Sequence, residues 1–227
     1  IKCLYLMFES ISNLAIKAKF ISKDFFLQNN IRVMDYSLIK EFDHENFLIP
    51  NQTHSTNVIL SNIPGKINNC DGVFTKNPKI TCLIKVADCM PVYFAHKNKS
   101  FYGIVHAGWR GLTNGVLNAT SVLLKEHQQK LKNFDVFIGP SIQSCCFEIS
   151  NDIVEKFPRD YVKSGISGKF LVDMQKIAVD ILRSVGFKKN KITISDDCTF
   201  CLKEHYYSYR RENEAAGRMI GLIGYKA

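Results

Sequence analysis

Apolar residues in the middle third of the chain fall into short runs bounded by turn residues. Residues 80–86 and 91–95 form two such runs, separated by Ala87-Asp88-Cys89-Met90, and 101–105 form a third after the polar turn Lys97-Asn98-Lys99. Runs of this length, bounded in this way, predict buried strands. A hairpin among them brings Cys89 and His106 toward the same end of the sheet.

From Leu112 the period changes. Leu112, Val116, Leu117, Leu123 and Leu124 recur at mainly helical spacing with polar residues between them, which predicts a helix over 112–131 ending in a lysine-rich turn. Residues 134–138 predict a buried strand stopped by Gly139-Pro140. Asp173 is placed to cap a helix carrying Ile177, Ile181, Leu182 and Val185 and closed by Gly186, and 191–195 and 219–223 predict the last strands. No Pro/Gly/Ser-rich linker, internal repeat or low-complexity segment divides these elements, so one domain over residues 1–227 is expected. Strands grouped with helices outside them, without regular βαβ alternation, predict an α+β fold: a single domain with mixed β-sheets and helices packed outside.

Composition agrees with a full core: 227 residues, 46% hydrophobic and 22% charged. No apolar run approaches the roughly 20 residues that span a bilayer, and the first twenty positions are interrupted by Glu9, Ser10, Ser12 and Asn13. Eight cysteines in a chain this long give no dense disulfide framework, and several lie in apolar runs where free thiols are commonly buried. A cytoplasmic protein without a membrane role is therefore expected. The net charge of +9 raises the question of nucleic acid, but the lysines are spread along the chain with no clustered patch or interleaved aromatic motif. No nucleic-acid partner is expected; a basic surface that attracts small anionic ligands is. Monomer is the default, with a two-fold homodimer as the alternative.

Three short segments combine metal-ligand side chains with turn residues: Gln52-Thr53-His54, Ala87-Asp88-Cys89 and His106-Ala107-Gly108-Trp109-Arg110-Gly111. Two imidazoles and a thiolate suit zinc and leave a fourth position for water or substrate. Zinc there would bring the pKa of bound water toward neutrality and favour the Cys89 thiolate. Asp88 and Asp71 are the nearest acids able to orient a ligand histidine or shuttle a proton. Spacing alone does not decide the matter, because separations of 35 and 17 residues match no short-range zinc motif.

Longer blocks are more specific. Ala87-Asp88-Cys89-Met90-Pro91-Val92, the His106 to Gly111 segment, Gly139-Pro140-Ser141-Ile142 with Cys146-Phe147-Glu148, and Tyr207-Ser208-Tyr209-Arg210-Arg211 with Gly217-Arg218-Met219 resemble the signature blocks of the YfiH/YlmD family, also called the laccase-domain or polyphenol oxidase family. They occur in the family's order from about residue 47 onward. The resemblance implies that His54, Cys89 and His106 are metal ligands. It also implies a zinc-dependent activity on purine nucleosides: phosphorolysis of adenosine, inosine or methylthioadenosine, and deamination of adenosine. Copper-dependent phenol oxidation and cysteine hydrolysis are the other activities associated with it. Laccase chemistry needs several coppers, and the six histidines offer no second closely spaced cluster, so multicopper oxidation is the weaker reading; zinc is the expected metal, with copper as the alternative because it accepts the same His and Cys donors. A cysteine-nucleophile hydrolase, with Cys89 attacking an amide or cell-wall precursor and His106 as base, is the alternative from another class. The Ser-Thr-Arg and Gly-Gly-Val-Ser stretch of many members is absent from the N-terminal region. Ser55 stands where glycine is usual, and Ala216 where threonine is usual.

Arg110 and Arg210 are the arginines expected near a phosphate or other substrate group, while Arg211 and Arg218 cluster with Arg210 in the sequence. Trp109 is expected to pack, with stacking on a base as the alternative. Cys198-Thr199-Phe200-Cys201 and Cys145-Cys146 have the spacing of redox pairs, and a structural zinc site built from all four is a further reading; isolated buried thiols are the preferred expectation. His44, His96, His127 and His205 lie in polar segments and are expected at the surface.

Overall fold

A computed structural model of the chain describes residues 5–7, 15–29, 42 and 46–225. The first elements are β1 (Tyr5–Met7), β2 (Ile16–Ile21), α1 (Lys23–Gln28), β3 (Phe47–Pro50), β4 (Val58–Leu60), β5 (Gly65–Ile67) and β6 (Gly72–Thr75). The expected middle strands follow as β7 (Thr81–Val86), β8 (Met90–His96) and β9 (Tyr102–Ala107), then α2 (Trp109–Asn114), α3 (Val116–Glu126) and β10 (Phe134–Ile138). The remainder comprises β11 (Glu148–Ile149), α4 (Asn151–Val154), β12 (Val162–Ser164), β13 (Phe170–Val172), α5 (Met174–Val185), β14 (Ile192–Ile194), α6 (Tyr209–Glu212) and β15 (Met219–Tyr225). The fold is α+β, as the grouping of strands implied.

Among the described residues two mixed six-stranded sheets carry it, in the orders β1-β2-β15-β7-β3-β5 and β14-β10-β8-β9-β6-β4, with a small third sheet β11-β13-β12. Strand β8 shows why its sequence is apolar throughout. It lies between β10 and β9, and both of its faces are covered. Tyr93 and Ala95 point into a core shared with Cys82, Ile84 and Val86 of the first sheet; Met90, Val92 and Phe94 point the other way, into the core that Leu112, Val116, Leu117 and Leu182 complete from the helices. Period-two alternation thus feeds two cores rather than one core and solvent. The Tyr93 hydroxyl spans the sheets and donates to the Lys19 carbonyl at 3.1 Å. On the outer face of the first sheet, Leu83, Ile220 and Leu222 pack against Phe25 and Phe26 of α1.

The Asp173-capped helix forms as read: the Asp173 carboxylate accepts from the Lys176 N–H at 2.9 Å, and α5 stops at Gly186 with φ +121°. The helix expected over 112–131 is different. It starts earlier, at Trp109, breaks at Gly115, whose φ of +97° an L side chain rarely adopts, and ends at Glu126. His96 is buried instead of exposed, because it closes the doubly covered strand β8; its ring meets Phe134 edge-on at 5.2 Å and its Nδ1 accepts from the Asn98 N–H. His127 is half-buried, His205 is exposed, and His44 lies outside the described residues. No helix among the described residues is long and apolar enough to cross a membrane.

Candidate metal centre

Strands β8 and β9 are antiparallel, with Pro91 opposite His106 and Met90 opposite Ala107. That register sets Cys89, just before β8, beside His106 near the end of β9. His54 arrives from the loop after β3. The potential ligand atoms of His54, Cys89 and His106 all lie within 4.8 Å of one another; Cys89 Sγ is 3.9 Å from His54 Nε2, and the two imidazoles stand edge-to-face with centroids 4.8 Å apart.

One carboxylate organises both histidines. Asp71 is fully buried, and its Oδ1 lies 2.8 Å from His106 Nδ1 and accepts the His54 N–H at 3.0 Å. Its Oδ2 accepts the Thr53 N–H at 3.1 Å and both the N–H and hydroxyl of Ser55 at 2.7 Å. The Ser55 hydroxyl thus adds a hydrogen bond to the assembly that a residue without it could not make. With Nδ1 of His106 turned to a carboxylate, Nε2 is the atom left to bind a metal, the usual carboxylate–histidine arrangement of metal sites. His54 itself sits at φ +59°, a region costly for a histidine, and the Asp71 bonds on either side hold it there.

Burial alone would raise the Asp71 pKa, but His106, the Ser55 hydroxyl and the neighbouring N–H groups outweigh it and hold the group well below the usual carboxylate range. Burial also opposes ionisation of Cys89, yet the two histidines lower its pKa to about 6. For His106, burial pulls the pKa down while Cys89 and Asp71 raise it more. A thiolate beside a protonated His106 is the result without a metal; an ion that displaces the His106 proton would find two nitrogens and one sulfur, a donor set that fits a borderline metal such as zinc.

Asp88 sits on the turn that presents Cys89, with φ +79°. Its Oδ1 accepts the Thr199 hydroxyl at 2.7 Å, and its Oδ2 accepts the Ser208 hydroxyl at 3.0 Å and the Arg210 N–H at 2.7 Å. The carboxylate thus ties two C-terminal segments to the Cys89 turn.

The three donors open on a cleft of about 590 Å³ that Lys66, Lys85 and Arg218 also line, together with Asn68 and Tyr209. A second cavity of about 230 Å³ adjoins at Cys89 and Tyr209 and is lined by Trp109, Phe147, Met174, Arg110 and Arg210. Arg110 and Arg210 are held there by aromatic rings: Arg110 lies 4.5 Å over Trp109, and Arg210 lies 5.4 Å over Phe147 while donating to the Glu148 carbonyl. Trp109 packs against Phe157 and also lines the cavity. Arg211 is structural, donating to the carbonyls of Thr199, Phe200 and Tyr206. Sequence reasoning passed over Lys66, Lys85 and Tyr209 and set Arg218 aside. Lys85 had a signal, as the one charged residue in an otherwise buried strand; Lys66 had none.

Four other cysteines also converge. Cys145, Cys146, Cys198 and Cys201, expected as isolated buried thiols, have sulfurs within 4.8 Å of one another, and two of the four are exposed. By contrast, Cys70 and Cys82 are buried free thiols, the ordinary state for cysteine in apolar runs.

A family model described as multi-copper polyphenol oxidoreductase laccase matches residues 26–226. The chain is 36% identical over 183 residues to a purine nucleoside phosphorylase of Haemophilus influenzae, covering 77% of this chain and 72% of that relative. It is 31% identical over 199 residues to a purine nucleoside phosphorylase of Staphylococcus saprophyticus, covering 81% and 74%. Among solved structures, YlmD from Geobacillus stearothermophilus superposes with a TM-score of 0.83 at 19% identity, covering 100% of this chain and 98% of that one. The YfiH protein of Bacillus licheniformis gives 0.81 at 22% identity, covering 93% of each.

Proposed function

This chain belongs to the YfiH/YlmD family, described as multi-copper polyphenol oxidoreductase laccase, and from that premise we propose that it is a zinc-dependent purine nucleoside phosphorylase that also deaminates adenosine. Adenosine, inosine and methylthioadenosine are its substrates in this reading. The observation that carries it is the convergence of His54, Cys89 and His106 at the junction of a cation-lined cleft and an aromatic cavity.

When bound, zinc supplies a Lewis acid that lowers the pKa of its water and draws off negative charge. The chain's own residues do the rest. Lys66, Lys85 and Arg218 offer phosphate three positive charges around one cleft. Trp109, Phe147 and Met174 give a purine an apolar lining, and Arg110 and Arg210, stacked over Trp109 and Phe147, present guanidinium groups to its polar edge. Tyr209 and Cys89 stand where the two spaces meet. Asp71 and Asp88 act as positioning residues, since their oxygens are already engaged by His106 and the His54 loop, and by Thr199, Ser208 and Arg210.

The test is elemental analysis of the parent beside Cys89→Ala and His106→Ala, with chromatography of adenosine incubations with and without phosphate. Each variant is expected to lose one zinc per chain and both activities; adenine formed only with phosphate marks phosphorolysis, and inosine marks deamination. Full turnover in a variant lacking that zinc would overturn the reading. Gly108→Ala is expected to weaken zinc binding by at least about tenfold in a chelator competition, the scale of misplacing a ligand's support. A methyl there would come within 2.8 Å of both Cys89 Sγ and His54 Cδ2.

The lowered Cys89 pKa beside His106 also suits the thiol-hydrolase reading. Electrophilic labelling separates the two: a metal ligand is protected by added zinc, whereas a free nucleophile is labelled at the same rate with or without it. Among the described residues no second cluster containing histidine accompanies the first, so the multicopper activity in the family's description is not adopted here.

A further inference from the structure

The geometry points to a second metal site, a zinc tetrathiolate formed by Cys145, Cys146, Cys198 and Cys201, which clips the Cys198–Cys201 turn to the segment that follows Gly139-Pro140. All four sulfurs lie within 4.8 Å of one another, with Cys201 at 3.8 Å from Cys145 and 3.2 Å from Cys146. Zinc–sulfur bonds of about 2.3 Å in a tetrahedron place sulfurs about 3.8 Å apart, so modest adjustment closes the site. Four thiols without a carboxylate or imidazole form a soft, closed donor set that selects zinc and leaves no open position, unlike His54, Cys89 and His106.

The backbone around the sulfurs is already built. Ser141 and Cys198 form a parallel bridge, the Thr199 N–H donates to the Ser141 carbonyl at 3.2 Å, and the Gln143 N–H points at Cys198 Sγ at 3.5 Å. The Gln143 side chain donates to the Ser195 carbonyl at 3.2 Å. Cys198 is buried and Cys146 half-buried, whereas Cys145 and Cys201 are exposed, so an ion can enter from solvent. Loading releases the thiol protons and leaves a site of net charge −2. Arg211, whose guanidinium donates to the Thr199 and Phe200 carbonyls within the Cys-x-x-Cys turn, supplies positive charge beside it. The same turn carries Thr199, the partner of Asp88, which links this site to the Cys89 turn.

The inference does not rest on the nucleoside reading. Zinc is counted per chain in the full-length parent and in Cys89→Ala, Cys145→Ser, Cys201→Ser and Cys89→Ala/Cys201→Ser, with circular dichroism to confirm folding. Serine at the two exposed positions removes little packing. Two zinc ions in the parent, one in each single variant and none in the double variant are expected. Cobalt-loaded Cys89→Ala is expected to show thiolate-to-cobalt charge-transfer absorption that the double variant lacks. The proposal is overturned if both serine variants keep the parent's zinc content, or if the parent, isolated without reductant, carries a disulfide between Cys201 and Cys146. Retention of two ions by Cys89→Ala alone, with one lost from Cys201→Ser, would overturn the catalytic-site reading and leave this one standing.

Discussion

Asp71→Asn is expected to remove the zinc bound by His54, Cys89 and His106, and turnover with it, and to destabilise the fold by about 3–5 kcal/mol, the scale for stripping one partner from a buried charged network. The size follows from the donors. Backbone N–H groups of Thr53 and Ser55 face Oδ2, and the His54 N–H faces Oδ1. An amide must set its own N–H₂ against one of these groups, and a backbone N–H cannot reverse its role. Both orientations therefore leave opposed donors: with nitrogen at the Oδ1 position the His106 and His54 contacts are lost, and with nitrogen at the Oδ2 position the Thr53 and Ser55 N–H groups that shape the His54 loop lose their acceptor. Chemical denaturation and chelator competition on the variant check this; zinc affinity and midpoint equal to the parent's would show that Asp71 does not organise the site.

Asp88 provides the contrast. Asp88→Ala is expected to cost about 3 kcal/mol, because the Thr199 and Ser208 hydroxyls and the Arg210 N–H lose their acceptor in a buried setting. Asp88→Asn should cost only about 1 kcal/mol. Its nitrogen can face Thr199, whose hydroxyl rotates to accept, while its oxygen keeps Ser208 and Arg210. Urea unfolding of the two variants reads this ordering directly, and equal losses would refute it. The Asn form at Asp88 should also keep zinc, where the Asn form at Asp71 does not.

Much of this could be read from residue patterns. The β8–β9 pair and the Asp173-capped helix follow from short apolar runs, turn residues, helical spacing and capping, which are short-range properties. His54, Cys89 and His106, which the structure brings together, were singled out through the resemblance of the blocks; their spacing of 35 and 17 residues was silent. What sequence hid is long-range. Nothing local tells that β7 and β8, four residues apart, belong to opposite sheets, or that His96 is covered on both sides. The break at Gly115 was a local signal outweighed by the leucines on either side of it. The cysteine cluster depends on pairing between Ser141 and Cys198, two segments with no common pattern. Lys66 enters the cleft only because β5 lies alongside β3.

The division of donors between the sheets has a mechanical meaning. His54 follows β3 of the first sheet, while Cys89 immediately precedes β8 and His106 lies in β9 of the second, so an ion held by all three, as proposed, would act as a rivet between the sheets. Any shear of one sheet over the other must change the separation of the donors. A substrate wedged between Lys85 on the first sheet and the aromatic cavity beside the second would load that rivet, and binding energy gained far from the ion would reach it as strain.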